Sequence, residues 1–334
     1  MNNDKILEEQ IGNLGGEPQV TAPAEQEGSS LGHAKFFGRK PERDNADPSD
    51  LPIRTGWIEL EREEFGERSQ FYPSDWKFFI RPATVDDIKN WSSVDETRFD
   101  QVNNVFNEII KSCVKITSST GNVSWGKICS WDRFWLLLKI REYTFTTGES
   151  KIAYDDECPN CDQPLKFELS SNSLVFEMPD QDIINQYWDP VNRVWCIDPT
   201  EYDVNGPVIK FYTPTLEKDA AIFDWALRVT RENENKRPKD TLLKFLPWMV
   251  QRIARDEKVT EKFIKDAEGV YKMWGMDMFN LADQILRNIA VIPNERLRAI
   301  CPHCGEEVET KVRFPNGVRS LFNVQSGHKK FGKK

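Results

Sequence analysis

From residue 76 onward the spacing of apolar residues changes period several times, and each change predicts a new element. WKFFIRP (76–82) is short, aromatic and β-prone and reads as a strand. In ATVDDIKNW, Thr84 followed by Asp87 has the spacing of a capping box at a helix start. Phe99, Val102, Val105, Phe106, Ile109, Ile110 and Cys113 then recur every three or four residues, the pattern of an amphipathic helix running through FDQVNNVFNEIIKSCVKI. Ser130 is placed to cap a short helix carrying Trp131, Phe134, Leu137 and Leu138. Strand-like runs follow in TGESKIAYDDE and LKFEL (165–169). SLVFEMPD and GPVIKFYTPT read as strands flanking a loop rich in aromatics and proline, QYWDPVNRVWCIDP.

From Thr215 the period becomes helical again. LEKDAAIFDWALRVTREN, DTLLKFLPWMVQRIARD, EKFIKDAEGVYKMW and MDMFNLADQILRNIAVI predict a small bundle of three or four helices, with RENENKRPKD as a charged connection. A last alternating run, EVETKVRF, occupies 307–314. Residues 1–55 differ from all of this. They are polar and turn-rich, with few large apolar residues, and read as a flexible or extended tail.

With 334 residues, 11 Trp and 20 Phe, the chain has the bulk for a substantial core or for aromatic interfaces. A net charge of −9, from 45 basic against 54 acidic residues, argues against a dedicated nucleic-acid binder. No apolar run long enough to span a bilayer is present, and the amino-terminal residues lack a charged-then-apolar signal. Both point to a soluble, cytoplasmically made protein without a membrane partner.

Seven cysteines without a secretion signal make a disulfide framework a poor explanation. Cys113, Cys129 and Cys196 stand alone among apolar or aromatic neighbours and read as small buried hydrophobes. The other four form two matching pairs. ECPNCDQPLKF (157–167) and ICPHCGEEVETKVRF (300–314) each carry Cys-Pro-x-Cys, then Asp or Gly, then an alternating run.

A Cys-x-x-Cys turn aims two thiolates and several backbone N–H groups at one point. Two such turns facing each other make a closed tetrahedral site that suits structural zinc. Cys158, Cys161, Cys301 and Cys304 are therefore the expected ligands, with His303 pointing outward. A redox role fits less well, because redox pairs open helices whereas these precede strands.

Roughly 140 residues separate the two pairs, and closing a flexible loop of that length costs about 4–5 kcal/mol. Structural zinc contributes about 10–16 kcal/mol in small peptides, enough to hold such a closure. The expected architecture is α+β. A small β region with a split four-cysteine zinc ribbon spans 151–175 and 295–325, after strand-plus-helices at 56–150. The insert at 176–294 is mostly helical from 215.

Catalytic signatures are missing. GNVSWGKI (121–128) begins like a phosphate-binding loop, but Ile128 stands where that loop needs Ser or Thr, and Trp125 would crowd it. A turn between helices accounts for its glycines, and KITSST ahead of it reads as a poor buried strand. Only three histidines are present, and no acidic pair is singled out as an acid–base couple. An enzyme with a small-molecule substrate is the weaker reading.

The strand entering FIRPATVDDIKNW, the central Cys-x-x-Cys followed by KFEL, and the segment VIKFYTPTLEKDA leading into helices resemble the baseplate hub and hub-assembly proteins of T4-like contractile-tailed phages. The resemblance covers roughly residues 76–325. A longer tail at 1–55 and an intact second pair, Cys301 and Cys304, set this chain apart from the family pattern. The resemblance implies a non-catalytic structural or assembly protein, made in the host cytoplasm and carried in the virion tail baseplate. Its partners would be other tail proteins. Trp188 and Trp195 are the candidate interface residues. Two alternatives stay open on the residues alone: a zinc-ribbon adaptor of a nucleic-acid machine, and an enzyme with a purely structural zinc.

Overall fold

The computed structural model describes residues 56–93, 98–145, 150–232, 238–251, 259–294, 296–312 and 321–322. The expected tail at 1–55 lies outside the described residues. Strands β1 (Ile58–Leu60) and β2 (Lys77–Ile80) pair antiparallel, with a ten-residue 3-10 segment, Arg62–Phe71, between them. Helix α1 (Val85–Ser92) starts at the expected capping box: Thr84 Oγ1 accepts from the Asp87 N–H, and the Asp87 carboxylate accepts from the Thr84 N–H. Helix α2 (Phe99–Cys113) presents Phe106, Ile109, Ile110 and Cys113 to the core, as its three-and-four spacing predicts.

The helix ends at Cys113, where an alternating Val-Lys-Ile run begins. Val114 opens β3 (Val114–Ser118), which pairs with β2 on one side and β4 (Gly121–Val123) on the other. KITSST is thus part of a well-placed strand, contrary to expectation, because Val114 and Ile116 alternate inward while Lys115 faces solvent. GNVSWGKI does not join helices either. It forms a β-hairpin arm and a 3-10 turn, Trp125–Lys127. Gly126 is needed there for space, since a Cβ would lie 2.6 Å from Glu217 Cβ. Ser130 opens another 3-10 turn rather than capping a helix, and α3 (Arg133–Thr144) begins three residues later.

Two strands, β5 (Ile152–Glu157) and β6 (Pro164–Leu169), form the first cysteine hairpin. After β7 (Val175–Glu177), the segment expected as an aromatic loop is instead ordered. It comprises α4 (Gln181–Tyr187), β8 (Trp188–Asp189) and β9 (Val194–Ile197), and β9 also pairs with β10 (Ile209–Tyr212). The strands are too short to show a period in sequence, and their pairing partners supply the order. Helices α5 (Leu216–Glu232), α6 (Asp240–Met249), α7 (Glu261–Lys272) and α8 (Met276–Ile289) match the four predicted helices. The chain then returns through β11 (Ile292–Asn294), paired with β7, to the second cysteine hairpin of β12 (Arg296–Ile300) and β13 (Glu307–Lys311).

One large apolar core runs through these elements, from Leu60 on β1 to Val308 on β13. A smaller core joins Ile222 and Trp225 of α5, Leu242 and Leu246 of α6, and Ile264 and Ala267 of α7. Helix α8 departs from that group: Met278, Leu281, Ile285 and Ile289 pack into the large core. Each fully buried large apolar side chain contributes about 1.5–3 kcal/mol. Exposed ion pairs such as Lys77–Glu59 and Arg298–Glu309 are screened by solvent and add little, so packing and not surface charge holds the fold. Among the described residues, no helix is long and apolar enough to cross a membrane.

Candidate metal centre

The two cysteine pairs sit at the tips of hairpins built to the same plan. In the first, Glu157 of β5 pairs with Pro164 of β6; in the second, Ile300 of β12 pairs with Glu307 of β13. Between these pairs each chain makes the same turn. The Cys158 N–H donates to the Gln163 carbonyl at 2.9 Å, and the Cys301 N–H donates to the Glu306 carbonyl at 2.9 Å. The Asp162 and Gly305 N–H groups then donate back to the carbonyls of Cys158 and Cys301. This turn needs a left-handed backbone just after the second cysteine, and Asp and Gly are among the residues that tolerate it.

The hairpins are fixed from several sides. Leu165, Phe167 and Leu169 of β6 point into the core in strict alternation, as do Leu297 of β12 and Val308 of β13. Thr310 Oγ1 donates to Asp156 Oδ2 at 3.1 Å and ties β13 to β5. At the base of the first hairpin, two consecutive residues of α3 act as a clamp. Buried Arg141 donates to the carbonyls of Ser150 and Lys151, and the Glu142 carboxylate accepts from the Ser171 N–H and hydroxyl. Periodicity finds Arg141 only as one more position on an apolar helix, because its partners are set by the fold.

The four sulfurs converge. All lie within 4.8 Å of one another, with Cys158 Sγ and Cys304 Sγ 3.7 Å apart and Cys161 Sγ and Cys301 Sγ also 3.7 Å apart. A zinc ion with four bonds of about 2.3 Å in tetrahedral geometry requires sulfurs about 3.8 Å apart, so the donor set fits the ion. Each pair contributes one buried thiol, Cys158 or Cys301, and one nearer the surface, Cys161 or Cys304. His303 is exposed and outside the sulfur cluster.

The electrostatics favour a cation at the centre. The Cys304 and His303 N–H groups draw the Cys301 thiol down to about 6. Cys161 is pushed up to about 12: the Gln163 N–H, its largest single influence, favours the thiolate, yet desolvation and the three neighbouring sulfurs outweigh it. Four thiols this close cannot all ionise against one another, and a divalent ion is what would hold all four as thiolates. Such a site is closed by protein sulfur and leaves no position for water or substrate.

The remaining cysteines play no part in it. Cys113 and Cys129 are fully buried, Cys196 is half-buried, and burial pushes the Cys113 thiol up to about 12.

A family model described as T4 bacteriophage base plate protein matches residues 68–316, a span that includes all four cysteines. The chain belongs to that family. No curated protein and no solved structure matches it with significance. Membership in the baseplate family points to a structural tail component that contacts other tail proteins, and it agrees with the resemblance read from FIRPATVDDIKNW and the central Cys-x-x-Cys. Of the two tryptophans expected at an interface, Trp195 lies in the core of this baseplate-family fold and Trp188 is half-buried beside it. Trp188 and Trp195 face each other across β8–β9 with ring centroids 5.1 Å apart, and Trp188 also packs edge-on to Phe71. Trp195 is 1% exposed, so it offers no surface to a partner.

Proposed function

We propose that this protein is a structural or assembly component of the hub region of a contractile phage tail baseplate, acting through contacts with other tail proteins. A single zinc ion, held by Cys158, Cys161, Cys301 and Cys304, would serve as a structural clasp. The convergence of four thiols from hairpins 140 residues apart in sequence carries this reading in a chain of the baseplate family. A metal in that position would cross-link the two ends of the large core. It would fix β5–β6 against β12–β13 and supply rigidity rather than reactivity. The protein's own contribution is to present docking surfaces at a set geometry.

Quantitative mass spectrometry of purified virions tests the role. Copies at a fixed ratio to the other baseplate proteins are expected. Absence from virions combined with abundance in infected cells would remove the structural-component reading and leave an assembly factor. Salt-sensitive binding to DNA or RNA by the purified protein would instead favour a nucleic-acid adaptor.

A further inference from the structure

A cleft of about 830 Å³ opens between the β1–β2 connection, the β3–β4 hairpin, the β8–β9 turn and the first turn of α5. Its charge runs against that of the chain. Among the described residues, Arg62, Lys127, Arg193 and Lys218 line it against two acids, Asp75 and Glu217, in a protein of net charge −9. Both acids are already engaged: Glu217 pairs with Lys127 at 3.0 Å, and Asp75 accepts from the Ser119 N–H and hydroxyl.

Two of these basic side chains are buried without a carboxylate in direct contact among the described residues. Lys218 is 4% exposed and donates to the Thr213 carbonyl at 3.0 Å. Arg193 is 5% exposed and gives its Nε to the Phe71 carbonyl and one Nη to Cys129 Sγ. Among the described residues neither forms an ion pair with a carboxylate. Each retains N–H groups beyond these bonds. They also repel each other: burial first, then the Arg193 charge, draws Lys218 down to about 7.

Charging a buried basic group that has no acid in direct contact is costly, and here two such groups share one cavity. Arg193 further holds a left-handed backbone at φ 51°, a conformation that is strained outside glycine. The first turn of α5 adds its helix N-terminus to the same wall through Thr215, Glu217 and Lys218. Trp76, Tyr72 and Tyr212 supply flat apolar walls, and the Arg193 guanidinium lies 5.2 Å from the Trp76 ring centre.

We propose that this cleft receives a carboxylate-bearing side chain from an acidic segment of a neighbouring tail protein. The choice of a tail protein rests on the function proposed above, whereas the carboxylate chemistry rests on the cleft alone. Duplex nucleic acid suits the site poorly. Its phosphates need cations exposed along a face, and these two are only 4% and 5% exposed.

Fluorescence anisotropy with dye-labelled hexaglutamate on the purified full chain tests the site, with hexaglutamine as the neutral comparison. Hexaglutamate alone should bind, and K218M should weaken it at least tenfold. V191W, which fills the rim at an exposed position, should do the same without disturbing a buried charge. K111M, remote on α2, should bind like the wild type.

Absence of hexaglutamate binding, or binding indifferent to both K218M and V191W, would overturn the cleft. Displacement of the peptide by equal concentrations of inorganic phosphate would overturn the carboxylate assignment in favour of a phosphate site. If hexaglutamate binds as expected but virions lack the protein, the cleft stands and the tail-protein occupant falls. If virions contain the protein but hexaglutamate does not bind, the cleft alone falls.

Discussion

Asp162 and Gly305 occupy equivalent places in the two cysteine turns. Each follows the second cysteine, adopts positive φ (55° and 78°) and donates its N–H to the carbonyl of the first cysteine. The turn, and not the side chain, sets that position. G305V should destabilise the protein by about 1–2 kcal/mol, the strain of a left-handed residue bearing a branched Cβ. D162G relieves the same strain and should stay within about 1 kcal/mol of the wild type. Urea unfolding of the two variants checks both values.

One zinc per chain is expected in the purified protein by elemental analysis, and C301S should lose both the metal and thermal stability. Chelation should lower the melting temperature and raise the number of thiols open to alkylation, because Cys158, Cys161, Cys301 and Cys304 would be released together. A C301S protein that keeps its metal and its fold would exclude the four-sulfur clasp.

Asp132 is fully buried at the centre of a polar network. It pairs with Arg68 and accepts from the Tyr72 hydroxyl at 2.6 Å, and that hydroxyl accepts from the Cys129 N–H. D132A leaves the Arg68 guanidinium buried and unpaired, at a cost of about 3–5 kcal/mol. Pairing it with R68M removes the orphaned charge and should recover much of the loss. A double-mutant cycle in urea reads the coupling directly.

Lys218 gives stability a distinct pH dependence. Its folded value is drawn from 10.5 down to about 7 by burial, then by Arg193 and Lys127, with Asp219 and Glu217 opposing. Below pH 7 the amine is charged in both the folded and unfolded chains, so it adds no slope. Between pH 7 and about 10 the unfolded chain holds a proton that the folded one has released, so stability rises with pH by up to a few kcal/mol. K218M should be more stable than the wild type near neutrality, and the difference should shrink as pH rises from 7 to 9. A gap independent of pH would contradict the assignment.

Gly126 and Glu217 meet where the 3-10 turn at Trp125–Lys127 packs on α5. Because a Cβ at Gly126 would lie 2.6 Å from Glu217 Cβ, G126A must shift the turn or the helix and should cost about 1–3 kcal/mol by thermal or urea unfolding. The same substitution should disturb the Lys127–Glu217 pair, and with it the cleft.

The elements legible in the sequence were those with a local cause. Helices α5 to α8 and α2 show their apolar period over ten or more residues, and Thr84 with Asp87 marks the start of α1 within four. The four cysteines were legible because each Cys-Pro-x-Cys turn is complete within four residues. Elements with a distant cause were hidden. Strand β3 looked poor alone and exists between β2 and β4, and β8 and β9 are too short to show a period. Trp195 looked available because composition places aromatics at interfaces as readily as in cores; the packing of Phe71 and Trp188 against it decided for the core.

Sequence by itself determined the helical half of the chain, the matching chemistry of the two Cys-Pro-x-Cys turns and the likeness to baseplate proteins. Each of these depends on residues within a few positions of one another. Only the tertiary structure decided that the four sulfurs meet, that Arg141 and Glu142 brace the first hairpin, and that Arg193 and Lys218 face one cleft. Those arrangements join residues far apart along the chain. Charge and burial at such sites are properties of the assembled neighbourhood, and a linear pattern carries no record of them.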